Sequence, residues 1–289
     1  MANFDDILEQ GNQPEQEEYN EAEWVAAKKQ ERDEVYELSD NTALEVTSDG
    51  NKFKDFLDVQ SRFVRYSSVN ALLIYAQHPT ATHLADYDSW ESQNNNVKAG
   101  QTSMKILKQG KEYLRDDGKV GKNYIVEKRF DVSQTQKGTP SEKPVELDER
   151  KVLSALIKST FAKITGVDEL PDNLRATVNP QTDEISVLKG MEFDKTFGSI
   201  AQSIAIVELK TNSDSQISPA FSSSCVAYVL CKKYGVDTKS FRFDDVSDVF
   251  EGMDARAIKE EFSKVHNVTK NLSYKMDKSL EQKPKSQER

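Results

Sequence analysis

Hydrophobic positions along the chain mark out helices first and strands second. Phe53, Phe56, Leu57, Phe63 and Val64 recur at the spacing of one helical face. A second helix is predicted over about 68–77, with Val69, Leu72, Leu73 and Ala76 inward and Pro79 ending it. Past Trp90 the period shortens to two. Met104 and Ile106 alternate with polar residues, Asp117-Gly118 signals a hairpin turn, and Tyr124, Val126, Phe130 and Val132 continue the alternation. Gln134 to Pro144 reads as a linker by composition. Helical spacing then returns at Val152, Leu153, Leu156 and Ile157, and two short strands flank Asn179-Pro180. An amphipathic helix follows through Phe193, Phe197, Ile200 and Ile204, and another spans Val226 to Leu230. A long last helix carries Ile258, Phe262, Val265, Val268, Leu272 and Met276 on one face. The pattern predicts an α+β chain of two domains, an α+β unit over 49–135 and a mostly helical unit over 147–282. A linker over 136–146 joins them, and a disordered tail is expected over 283–289.

Charge alters this picture at the N-terminus. The chain of 289 residues has a net charge of −10, yet residues 1–40 alone hold 13 Asp and Glu against 3 Lys and Arg. The remainder carries 36 of each sign, so the acidity belongs to the first segment and the folded body is neutral. Glu15 to Leu38 could form a helix around Trp24, Val25 and Val35, but its apolar stripe is thin, and residues 1–48 are expected to form an acidic, largely disordered arm. No apolar run approaches the ~20 residues of a membrane span. The acidic start does not resemble a signal peptide, and a cytoplasmic protein with no membrane partner is expected. Cys225 and Cys231 stand six apart in a helical pattern, which suits no disulfide, and His78, His83 and His266 are scattered. No cofactor is expected.

The segment 98–130 is where the composition suggests a ligand. It holds Lys98, Lys105, Lys108, Lys111, Arg115, Lys119, Lys122, Lys128 and Arg129 against Glu112, Asp116, Asp117 and Glu127. Tyr113, Tyr124 and Phe130 are interleaved on the predicted strands. Cations that track phosphates, beside rings that stack on unpaired bases, suit single-stranded nucleic acid with little base preference. A lysine-rich hairpin is equally the ordinary way to blunt a sheet edge.

A second set of residues narrows the choice. The run from Tyr66 to Thr82, YSSVNALLIYAQHPTAT, is followed by Trp90, Gly100 and then Phe130-Asp131-Val132-Ser133-Gln134-Thr135. This order and spacing resembles the N-terminal domain of the ArdC antirestriction family, a domain also found in LtrC-like proteins of conjugative elements and in some plasmid primases. The resemblance covers about residues 50–135 and implies a single-stranded DNA-binding domain. The strand entry Lys98-Ala99-Gly100-Gln101-Thr102-Ser103 is less basic than the family pattern. Arg62 and Arg65, beside Tyr66, are candidate phosphate contacts, and Tyr75 and Trp90 are candidate stacking rings or core residues. Asn70, early on its helix, suits a cap or an interhelical hydrogen bond as well as a base contact.

The same resemblance implies a zincin-like, metallopeptidase-type second domain, in which a His-Glu-x-x-His helix and a Glu on a later helix hold zinc. Two histidines one turn apart share a helix face, and the Glu between them activates water. The flanking stretches Ile185–Met191 and Cys225–Cys231 resemble the family, but the ligands are missing. Alignment on Glu208 puts Val207 and Thr211 at the histidine positions and Ser224, or Ser222, at the third. Valine has no lone pair to offer, and a hydroxyl pair does not make a zinc site. A non-catalytic chain with a vestigial Glu208 and no metal is expected.

Two readings of function stand. In the first, the chain is a non-catalytic single-stranded DNA-binding protein of a mobile element (plasmid, conjugative element or phage) that protects incoming DNA. In the second, it is an antirestriction or adaptor protein that binds host or conjugation proteins, its acidic arm mimicking DNA.

Overall fold

The computed structural model describes residues 21–114, 118, 120–138, 148–210 and 214–281. The expected tail, most of the expected linker, and residues 1–20 of the expected arm lie outside these, as do Arg115, Asp116, Asp117, Lys119 and Thr211.

The arm is the first correction. Residues Glu21–Val46 form a 26-residue helix, α1, whose second half is built into the protein. Its inward stripe is Val35, Ser39, Thr42, Ala43 and Val46, all buried. The spacing is helical, but the stripe is made of small and hydroxyl residues. Thr42 and Ser39 satisfy their hydroxyls on the carbonyls of Leu38 and Tyr36, at 2.6 and 2.7 Å, so neither costs an unpaired buried group. A stripe of that kind is invisible to a search for large apolar side chains.

Helix α2 (Gly50–Arg62) begins where Asp49 accepts the amides of Asn51 and Lys52, and α3 (Ser68–Gln77) begins where Ser67 accepts that of Asn70. Strand β1 (Leu84–Ala85), a short helix α4 (Tyr87–Ser92) and the hairpin β2 (Met104–Leu114) and β3 (Val120–Asp131) follow. They make an antiparallel sheet of order β1-β3-β2. A bulge between Gln109 and Glu112 shifts the β2–β3 register and lies in the half of the hairpin farthest from the core.

The second half has its own small sheet. Strand β4 (Ile164–Val167) pairs parallel and β5 (Ala176–Val178) antiparallel with the central β6 (Ile185–Leu188). Helix α5 (Glu149–Ile157) precedes this sheet. Helices α6 (Phe193–Leu209), α7 (Pro219–Lys233), the short α8 (Val246–Val249) and the 27-residue α9 (Ala255–Glu281) come after it. The α+β class and the mostly helical second half match the expectation from sequence.

One continuous core unites the two halves. Phe53 of α2 meets Phe56, Phe221, Phe243, Phe250 and Phe262 at ring-centroid distances of 5.3–6.3 Å. Four of those five rings belong to the second half, and truncating Phe53 to alanine would cost about 3–5 kcal/mol. Gly50 closes the same seam: a Cβ there would stand 2.7 Å from the Phe243 carbonyl oxygen. Tyr228 donates to Asp58 at 2.7 Å, Lys232 pairs with the same carboxylate at 2.8 Å, and Lys259 pairs with Asp40. The free thiols of Cys225 and Cys231 are buried in this core, and burial pushes the Cys231 thiol up to about 12, which leaves it unreactive.

Candidate nucleic-acid interface

The residues of the most recognisable motif turn out to be the frame of the N-terminal half. β2 is an edge strand, and its exposed backbone groups need partners. Asn70 provides them at Leu107: its Oδ1 accepts the Leu107 amide and its Nδ2 donates to the Leu107 carbonyl, both at 2.8 Å. Gln77, two turns later, repeats the clamp at Lys105 with 2.8 and 2.9 Å bonds. Two side-chain amides on α3 thus stand in for a neighbouring strand. Asn70 is buried and fully used, so its placement among the DNA contacts is corrected.

The segment Phe130–Thr135 is equally structural. Asp131 is 1% exposed, and its carboxylate accepts the amides of Thr82, His83 and Ser133 at 2.7–2.9 Å. Burial pushes this carboxyl up, but the Ser133 side chain and then the three amide donors outweigh burial and hold it below the usual carboxylate range. Gln134 reaches back to the Asp131 amide and onward to the Thr102 carbonyl. Trp90 is buried, with its indole N–H on the Phe130 carbonyl at 3.0 Å, so it offers no face to a base.

Several of the expected phosphate contacts are also committed. Arg62 donates to the carbonyls of Pro79 and Ala81. Lys98 donates to the Ser133 carbonyl at 3.0 Å. Tyr75 lines a hollow with Glu45, Asp55, Asp58 and Arg62, and burial first, then Glu45, raises its phenol.

The hairpin does not present all its cations on one face. The register pairs Lys105 with Lys128 and Gln109 with Tyr124, which places these four on one side, and Lys108 and Arg129 on the other. Arg129 is bound to Glu127 at 2.5 Å and to Asp86 at 2.9 Å, and Lys108 to Glu127 at 2.9 Å. Burial raises the Glu127 carboxyl, while Lys108 and Arg129 together draw it below its ordinary value. That side is neutralised.

On the other side α1 lies over the hairpin. Val35, Tyr36 and Leu38 pack with Val69, Leu73, Leu107, Tyr124 and Val126. Glu31 and Glu34 approach the Lys105 ammonium at 3.6 and 3.8 Å, and Arg32 donates to Asn123 at 3.4 Å. Where α1 and the outer hairpin diverge they leave a groove of about 670 Å³, lined by Arg32, Tyr36, Lys111, Glu112, Tyr113, Lys122, Asn123 and Tyr124. Three rings and three cations converge there against one carboxylate. Lys111, Tyr113 and Tyr124 were expected from sequence. Arg32 and Tyr36 were missed because their helix had been read as an arm; their signal was the i, i+4 pair in a helical stripe. Lys128 is exposed on the same strand.

A second basic cleft of about 710 Å³ lies between the α2–α3 turn and α9, and holds Arg65 and Tyr66 together with Lys270, Tyr274 and Lys278.

The expected vestigial metal positions that the structure describes are not seen to form a site. Across the α6–α7 pair, the residue that meets Ser224 is Gln202, which donates to its hydroxyl at 2.8 Å. Glu208 is six residues further along α6, about 9 Å of helix rise. Val207 packs against the core, Thr211 is outside the described residues, and Ser222 is buried. Among the described residues no three His, Cys, Asp or Glu side chains gather in a way that could hold a metal ion. A hydroxyl paired with an amide is a poor donor set for zinc, and the residues do not fit a catalytic metal. No helix among the described residues is long and apolar enough to cross a membrane.

Fold and motif together define an α+β protein built on a strand-clamping N-terminal domain. Residues 43–154 match the family model of the N-terminal domain of anti-restriction factor ArdC, so this segment is similar to that domain. The crystal structure of the metal-free antirestriction ArdC protein from the R388 plasmid has a similar fold. It is 17% identical, with a TM-score of 0.50 over 74% of this chain and 86% of that one. The Mn(II)-bound form of that protein is also similar, at 15% identity and a TM-score of 0.49, covering 75% of this chain and 85% of that one. An uncharacterised Bacillus anthracis protein, pXO2-81, is 21% identical over 91% of this chain, which spans about half (54%) of the length of that relative.

Proposed function

We propose that this chain is a non-catalytic single-stranded DNA-binding protein of a mobile element, and that the groove between α1 and the β2–β3 hairpin is where the strand lies. The observation that carries the reading is the convergence of Tyr36, Tyr113 and Tyr124 with Arg32, Lys111 and Lys122 on one groove. Rings stack on any unpaired base and cations follow any phosphate, so the groove suits a single strand of arbitrary sequence. A duplex hides its base faces and gains only the cations. The mobile-element setting is supported by the plasmid origin of the similar ArdC structure. Absence of catalysis rests on the alignment, which offers Val207 and Ser224 rather than histidine or carboxylate at the ligand positions.

The test is anisotropy of a labelled oligodeoxythymidylate with the full chain and with Tyr124→Ala and Lys111→Ala/Lys122→Ala. Each stacked base removed costs about 1–3 kcal/mol, so Tyr124→Ala should weaken binding about 5- to 150-fold. Affinities equal to wild type in both variants would remove the groove from the binding surface.

One observation favours the second reading, an antirestriction or adaptor role through protein binding. The first turns of α1 are ordered, acidic at Glu21 and Glu23, and expose Trp24 and Val25 by half. An acidic helix with exposed apolar side chains suits a basic protein partner. A pull-down that depends on Trp24 while DNA binding is absent would select this reading.

A further inference from the structure

We propose that α9 forms a second strand-binding surface, at which single-stranded nucleic acid is held by Arg65, Lys270 and Lys278 and stacks a base on Tyr274. The inference rests on the single-strand reading above and extends it to the second half of the chain.

The cleft between the α2–α3 turn and α9 is open, and the two elements belong to different halves of the sequence. Lys270, Tyr274 and Lys278 recur every four residues, so they share one face of α9, each about 6 Å from the next along the axis. The inward face of the same helix is Ile258, Phe262, Val265, Leu272 and Met276, all buried. Tyr274 is therefore not a core residue that happens to reach the surface: it is 66% exposed and belongs to none of the buried clusters. A tyrosine standing in solvent with a lysine one turn before it and another one turn after has no packing role to explain it. Opposite it, Tyr66 is half-buried, edge-on to Phe63 at 5.7 Å, and burial raises its phenol so that it stays uncharged beside a phosphate.

Charge accounting separates ligand-ready cations from structural ones. Arg62 is spent on backbone carbonyls, and Lys233 is spent on Asp277 at 2.5 Å and on Ser273. That pairing also offsets Asp277, which lines the same cleft. Arg65, Lys270 and Lys278 form no ion pair or side-chain hydrogen bond among the described residues. Against these three stands Glu281, at the last residue of the helix. Three uncommitted cations around an exposed ring repeat the chemistry of the hairpin groove, and they select the same ligand class: phosphates for the cations, an unpaired base for the ring.

The experiment is a salt series of anisotropy titrations with labelled oligodeoxythymidylate on the full chain, its Tyr274→Ala form and its Lys270→Ala/Lys278→Ala form. All the altered side chains are outside the core, and thermal melts matching wild type will confirm that both variants fold. The proposal predicts a loss of about 5- to 150-fold for Tyr274→Ala. It also predicts a salt slope shallower by about 1.4 for the lysine pair, at ~0.7 per phosphate contact. Tyr274→Phe should restore most of the affinity, because stacking needs the ring and not the hydroxyl. Wild-type binding with both α9 variants unchanged in affinity and slope would overturn the second surface and leave the hairpin groove standing. Failure of wild type to bind single strands at low salt would overturn both.

Discussion

Replacing Asn70 by alanine separates a frame residue from a base reader. Its amide is the sole side-chain partner found for the Leu107 amide and carbonyl on the open edge of β2. Removing it leaves two backbone groups buried beneath α1 and α3 without partners. Each unsatisfied group costs about 1–3 kcal/mol, so the expected loss is about 2–6 kcal/mol. For a chain of this size 1 kcal/mol lowers Tm by about 2–4 °C, and the variant should melt roughly 4–24 °C below wild type. Asn70→Asp is the sharper form of the test. It keeps the acceptor for the Leu107 amide but turns a second oxygen towards the Leu107 carbonyl, and should be at least as destabilising. Differential scanning fluorimetry gives the stability, and DNA titration well below the lower Tm gives the binding. The reasoning expects binding within about twofold of wild type once the protein is folded. A variant that melts like wild type and loses DNA binding would show that Asn70 contacts the ligand and that the clamp is misassigned.

Three further outcomes follow from the same geometry. Glu31→Gln/Glu34→Gln frees Lys105 and lowers the negative charge beside the groove, so DNA binding should tighten, most at low salt; equal affinities across the salt series would make the two carboxylates spectators. Glu208→Ala should leave DNA binding unchanged, and elemental analysis of both proteins should find no stoichiometric zinc; zinc in wild type that is lost in the variant would reverse this. His266 is buried, and burial, with Lys270 adding to it, holds its pKa down at about 4 against an ordinary value of 6.5. Its folded form stays neutral where the unfolded chain takes up a proton, so stability is full above about pH 6.5 and falls as pH drops towards 4. The difference between pH 7 and pH 4.5 is about 2–3 kcal/mol, to be read from urea midpoints, and His266→Leu should flatten that slope.

How far the sequence could be read depended on the size of the side chains that carry each element. The large residues Phe53, Phe56, Leu57, Leu72 and Leu73 announced α2 and α3, and the alternation from Met104 to Val132 announced the hairpin. The docking of α1 escaped because Ser39, Thr42 and Ala43 share its buried stripe with only Val35 and Val46, in a segment whose charge suggested a solvated arm. The site was half legible for a related reason. Composition identified Lys111, Tyr113 and Tyr124 but not which sheet face each would occupy. It therefore grouped Lys108 and Arg129 with them, although Glu127 and Asp86 neutralise that side. The motif residues Asn70, Trp90, Asp131 and Gln134 were recognisable because the frame requires them, and for Asn70 and Trp90 that visibility was mistaken for ligand contact. On α6, matching Glu208 by identity overlooked what faces α7, where the contact is Gln202 to Ser224.

The most direct test of the central claim is a titration of the full chain into labelled single-stranded and double-stranded oligonucleotides of one length over a salt series. The account predicts tighter binding of the single strand, indifference to its sequence, and a linear fall of log affinity with log salt at a slope of about −0.7 for each phosphate engaged. No binding of the single strand at low salt, or preference for the duplex, would contradict it.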